Sequence, residues 1–135
     1  MDCPLCDAQN QTYRFITENE EAFCIVPLCH LLPGHIMVLP KRHVTNLADL
    51  TPTEARDVLT LTEQMKCVLK RAYQPDIIIQ MNTGKHSTQP HLHFNLLPSE
   101  GGLRETVGEY HKVPLRKEHT QAIMQEMRDL IVSHL

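Results

Sequence analysis

Three residue types with the means to do chemistry fall into two short, closely spaced groups in this chain. His91-Leu92-His93-Phe94-Asn95 places two imidazoles and an amide at alternate positions, and Cys3-Pro4-Leu5-Cys6 places two thiols three residues apart. On a strand, side chains alternate between faces, so His91, His93 and Asn95 share one side while Leu92, Phe94 and Leu96 take the other. Same-face neighbours are roughly 6.5–7 Å apart, so this side presents three nitrogen-bearing groups in a row. Neutral imidazole is a competent nucleophile near pH 7 when its second nitrogen donates to a fixed acceptor. A plain solvated strand face competes with this reading of the segment taken alone. The two thiols suit half of a metal site. A redox pair of the thioredoxin kind would follow a strand, and none precedes residue 3.

The rest of the composition narrows the field. The chain has 135 residues, 21% of them charged, with a formal net charge of −3, nine histidines, five cysteines and no tryptophan. That length predicts a single domain spanning 1–135. The absence of a basic excess argues against a nucleic-acid polymer as partner. No apolar run approaches the ~20 residues of a membrane span, and no secretory leader opens the chain. An odd cysteine count without such a leader predicts free thiols in a reducing cytoplasm. Cys24, Cys29 and Cys67 read as small core hydrophobes.

The elements that must position these groups are legible in outline. Thr12–Thr17 and Ala22–Pro27 flank the polar turn Glu18-Asn19-Glu20-Glu21 and predict a hairpin. His35–Leu39 predicts a strand ending at Pro40. Thr51-Pro52-Thr53-Glu54 is a capping box with proline at the first helical position. Ala55, Val58, Leu59, Thr62, Met65, Leu69 and Ala72 then repeat at helical spacing, so a helix is expected over Pro52–Tyr73. Asp76–Met81 and His91–Leu97 read as strands joined by a polar loop, and residues from Lys117 to His134 as a C-terminal helix. Turn-connected strands predict an α+β fold with a mainly antiparallel sheet, one long central helix and a C-terminal helix.

The HxH strand, Cys3-x-x-Cys6, Pro33-Gly34-His35 through Pro40-Lys41-Arg42-His43, and Asn82-x-Gly84 together resemble the histidine triad (HIT) superfamily over Cys3 to Pro98. The resemblance implies a compact α+β domain, often a homodimer, acting on a small phosphate-containing substrate. His93 occupies the position of the family's nucleophile, which forms a nucleotidyl-histidine intermediate, and His35 that of a supporting histidine. Asn82, Ser87, Thr88 and Asn95 match substrate-contacting positions. In bacterial members and in the related galactose-1-phosphate uridylyltransferases, CxxC, a distant histidine and the first triad histidine hold zinc. The matching residues are Cys3, Cys6, His43 and His91, which would make a structural Zn2+ site.

Three departures qualify the likeness. Asn95 replaces the third histidine, and an amide cannot be cationic or shuttle a proton. Relatives that transfer a nucleotidyl group carry glutamine there, so a transferase or phosphorylase stands as an alternative to a hydrolase. Ser87 and His86 replace the Gln and Gly that precede the strand in many hydrolases. The carboxylate that grips the ribose hydroxyls would fall near Pro27, and no acid lies between Glu21 and Asp49. These last two departures also leave open a zinc-stabilised phosphate-binding module without turnover. Lys41-Arg42 offers a phosphate-attracting pair, or an ordinary pair of surface cations. His86 lies in the proposed active-site loop, and His111, His119 and His134 read as surface residues.

Overall fold

The computed structural model describes residues 2–84, 87, 89–112 and 118–135. These form two compact units, Met1–Glu100 and Gly101–Leu135. The first contains α1 (Pro4–Ala8), β1 (Phe15–Glu18), β2 (Ala22–Ile25), β3 (Ile36–Pro40), α2 (Pro52–Tyr73), β4 (Ile77–Gln80) and β5 (Phe94–Pro98). The strands make one sheet in the order β1-β2-β3-β5-β4, with every neighbouring pair antiparallel. The expected α+β class is therefore the observed one.

The alternation of β2 explains the layering. Ala22 and Cys24 point to one face and join Ile36, Val38 and Leu96 against Val58, Leu61, Met65 and Leu69 of α2. Phe23 and Ile25 point to the other face and pack with Leu39 against Cys3, Leu5 and Ala8 of the N-terminal segment. All four β2 residues are consequently buried, as a strand covered on both faces must be. Burying side chains of this size contributes roughly 1.5–3 kcal/mol each. The small second core thus holds the CxxC segment to the sheet.

α2 begins and ends where the sequence reading put it, with both arms of the capping box formed. Two positions of the expected inward stripe, Leu59 and Ala72, are exposed instead. Leu61 is buried and Leu59 is 60% exposed. Cys67 also lies outside the buried stripe of 58, 61, 62, 65 and 69, and is exposed; so is Cys29, in the segment after β2. Cys24 alone of the three is a core thiol. Lys41 and Arg42 do not form a free cationic patch, since Lys41 pairs with Glu18 at 2.9 Å and Arg42 with Glu54 at 2.7 Å. Arg42 and the Thr51 N–H hold the Glu54 carboxyl down at about 2.

Gly34 marks the entry to β3. Its φ is +86°, and an added Cβ would lie 2.8 Å from Pro98 and 2.9 Å from Tyr73, so only glycine fits. In the second unit, α3 (Leu103–His111) is a helix between the expected last strand and the C-terminal helix, and α4 (Gln121–Val132) lies within that C-terminal helix, capped by Thr120. His111, His119 and His134 are exposed, as expected. Among the described residues no helix is long and apolar enough to cross a membrane.

Candidate active site and metal centre

β5 starts at Phe94, three residues later than the alternation of His91–Leu97 suggests. His91 and His93 therefore lie in the extended lead-in, where Leu92 N–H donates to the Val44 carbonyl at 2.6 Å. Their side is no solvated face: His91 is 0%, His93 6% and Asn95 3% exposed. Each buried polar group then needs a partner, and each has one.

His91 donates from Nε2 to the Pro40 carbonyl at 2.8 Å, which fixes the tautomer and leaves Nδ1 as a bare lone pair. That nitrogen lies 3.2 Å from Cys6 Sγ and 3.6 Å from Cys3 Sγ. His43 Nδ1 is 3.4 Å from Cys6 Sγ. The four ligand atoms all fall within 4.8 Å of one another. Donors bound at ~2.0–2.3 Å to one tetrahedral ion lie roughly 3.3–3.8 Å apart, so the three short separations are close to that range and the Cys2His2 set is compatible with a metal site. The His91–Pro40 bond supplies the outer support that ligating histidines usually have. Burial, reinforced by Cys3, pushes the Cys6 thiol up to about 11, so a metal must displace its proton. Burial pushes His91 below its usual range, keeping the imidazole neutral as a ligand must be.

His93 is held differently. Its Nδ1–H donates to the carbonyl of His91 at 2.8 Å, so the lone pair is on Nε2. This is the arrangement a histidine nucleophile requires. One residue thus serves both centres: the His91 ring faces the cysteines, and its carbonyl orients His93.

His35 and Asn95 form a polar chain across three strands. The Leu31 N–H donates to His35 Nδ1 at 3.1 Å, so His35 carries its proton on Nε2 and gives it to Asn95 Oδ1 at 2.8 Å. Asn95 Nδ2 in turn donates to Gln80 Oε1 at 2.9 Å, and Gln80 Nε2 donates to Asn82 Oδ1. Burial lowers the His35 pKa, the bond to Asn95 partly restores it, and the charges of His30 and His93 press it down again. Gln80 escaped the sequence reading because it ends a plain apolar strand. The cross-strand register Gln80↔Asn95 is what recruits it.

Asn82 and Ser87 line a cavity of about 330 Å³ with Thr45, Gly84 and Leu92. Ser87 Oγ donates to the Gln89 carbonyl. Thr88, the other hydroxyl assigned to the substrate, and His86 lie outside the described residues. His30 is exposed and is not in the metal group.

A HIT domain family model matches residues 8–102, and the chain belongs to that family. It is 36% identical over 76 residues to the asymmetrical bis(5'-nucleosyl)-tetraphosphatase of Schizosaccharomyces pombe, covering 54% of this chain and 42% of the relative. It is 30% identical over 91 residues to the AP-4-A phosphorylase of Mycobacterium tuberculosis, covering 64% of this chain and 47% of that protein. The chain therefore spans less than half the length of these two curated relatives. The crystal structure of a HIT family member from Bacillus subtilis superposes with a TM-score of 0.74 over 100% of this chain and 98% of that one, at 17% identity. That likeness is one of fold.

Proposed function

We propose that the chain is a HIT-type hydrolase of nucleotide-like phosphoesters, phosphoramidates or phosphoanhydrides, acting through a covalent phosphohistidine at His93. The observation that carries this reading is the His93 Nδ1–H bond to the His91 carbonyl, which leaves Nε2 as a buried lone pair. Attack by Nε2 on the α-phosphorus forms a P–N bond as the bond to the leaving group breaks. The leaving group departs with the electron pair and takes up a proton. Water then attacks phosphorus, the P–N pair returns to Nε2, and the nucleotide is released. Asn82, Ser87 and Thr88 contact the phosphate, and His35 supports the site through Asn95. A tetraphosphatase among the relatives supports the substrate class.

Cys3, Cys6, His43 and His91 hold Zn2+ in this proposal. The ion, when bound, is a structural cross-link between the N-terminal segment and the lead-in to β5. The family resemblance supports a homodimer with residues 1–135 as its single domain, and the five free thiols suit a reducing cytoplasm.

A second reading, transfer to an acceptor other than water, is favoured by the amide at Asn95 and by the phosphorylase among the relatives. Incubation with α-radiolabelled dinucleoside polyphosphates and phosphoramidates tests both. Label trapped on the wild type but not on His93→Ala supports the covalent route. Release by water supports hydrolysis, and release only by added phosphate or sugar phosphate supports transfer. If wild type and His93→Ala bind the panel but neither turns it over, the binding-module reading replaces both.

A further inference from the structure

A second concavity lies on the sheet face that carries Asn95, the residue two after His93. It encloses about 280 Å³ and is lined by Leu5, Arg14, Pro27, Cys29, Met37 and Gln89 among others. Small-molecule sites run to ~300–1,000 Å³, so this one suits part of a substrate. Met37 connects it to the reaction centre. It pairs with Asn95 across β3 and β5, and His93 precedes Asn95 by two residues on the same face. Met37 thus places the cavity beside the strand that continues from His93, within one nucleotide's reach along the same side of the chain.

Arg14 gives this cavity its chemistry. It is only 5% exposed, yet among the described residues no carboxylate pairs with it. The residues outside that description include no Asp or Glu. Nε donates to the Val26 carbonyl at 2.9 Å and Nη1 to Gln11 Oε1 at 3.0 Å. Those bonds engage two of the five guanidinium N–H groups and aim the fork without neutralising it. A buried cation without a counter-charge is costly to maintain, and a bidentate anion is the partner that relieves it. The named lining residues other than Arg14 carry no charge, so an acidic ligand meets no repulsion there.

We propose that this cavity, with Arg14 as its cation, binds a second anionic group on the nucleotidyl half of the substrate, a phosphate ester on the ribose. The same logic separates dinucleotide sites, where an acid takes a free ribose hydroxyl and an arginine accommodates a ribose phosphate. The inference rests on the nucleotide reading above.

Calorimetric titration with adenosine 5'-monophosphate, adenosine 3',5'-bisphosphate and adenosine 2',5'-bisphosphate tests it on zinc-loaded protein. At least one bisphosphate should bind wild type tenfold or more tighter than the monophosphate, about 1.4 kcal/mol. Arg14→Met should bring that ratio close to one while leaving monophosphate affinity unchanged. Arg14→Lys, which keeps charge but not the fork, should retain part of it. Equal affinities for all three ligands in wild type overturn the subsite, and this arm needs no variant to fold. A ratio that survives Arg14→Met, or a variant that loses all three affinities alike, overturns it too. His93 labelling is read separately. Labelling with no bisphosphate preference sinks the subsite alone, and a preference without labelling sinks the covalent mechanism alone.

Discussion

The carbonyl of His91 accepts the His93 Nδ1 proton at 2.8 Å, while the ring of the same residue turns Nδ1 toward Cys3 and Cys6. The sequence showed which residues could meet here, because HxH and CxxC are local patterns. It could not show the tautomers, which are set by the carbonyls of Pro40 and His91, nor Gln80 and Arg14, whose importance comes from cross-strand register and burial. Gln80 is a positioning residue: Gln80→Leu removes the acceptor for Asn95 Nδ2 and the donor to Asn82. It should lower kcat/KM by roughly tenfold, about 1.4 kcal/mol of transition-state stabilisation. Loss of stability without any change in kcat would contradict that role. His35 yields a pH prediction. Burial keeps its folded pKa below its usual 6.5, so between those values the unfolded chain binds a proton that the folded chain does not. Stability should therefore fall as pH drops below ~6.5 toward the folded pKa. Thermal melts across pH 5–8 should show a shallower fall for His35→Gln than for wild type. Parallel curves would count against it.

At the level of elements, local signals were read well where they were long and poorly where they were short. α2 was recognisable at both ends because a capping box, a first-turn proline and a repeated apolar stripe all agree. Its cap also makes a clean prediction. Thr51→Ala should cost about 1 kcal/mol of stability in urea titrations, with no change in His93 labelling, because Thr51 Oγ1 accepts the Glu54 N–H within the cap of α2. A loss of labelling in a folded Thr51→Ala protein would show that α2 does more than cover the sheet. α1 has five residues, too few for a period to emerge, and its place is fixed by the packing of Leu5 and Ala8 with Phe23 and Ile25. The late start of β5 has a similar cause: alternation predicts which way His91 and His93 point, whereas strand pairing depends on a partner chain segment that sequence alone does not locate.

For the whole molecule, the N-terminal segment, the two sheet faces and the proposed metal belong to one problem of stability. The Cys3–Ala8 segment has a small core of its own, so the metal should add to its anchoring without creating it. Removing zinc with a chelator, or replacing both thiols in Cys3→Ser plus Cys6→Ser, should lower the Tm by several degrees and remove about one bound metal per chain. His93 labelling should weaken in the same samples, since the His91 backbone orients the nucleophile. Unchanged metal content in the double variant would remove zinc from these four residues. The bonded chain from His35 through Asn95 and Gln80 to Asn82 reaches further still, into how such sequences can diverge. An amide at position 95 is useful because position 80 supplies a matching amide on the neighbouring strand. Relatives that exchange Asn95 for histidine should therefore exchange Gln80 as well. The two positions should covary as a pair, and an alignment in which they vary independently would show that descent has not been constrained by this bond.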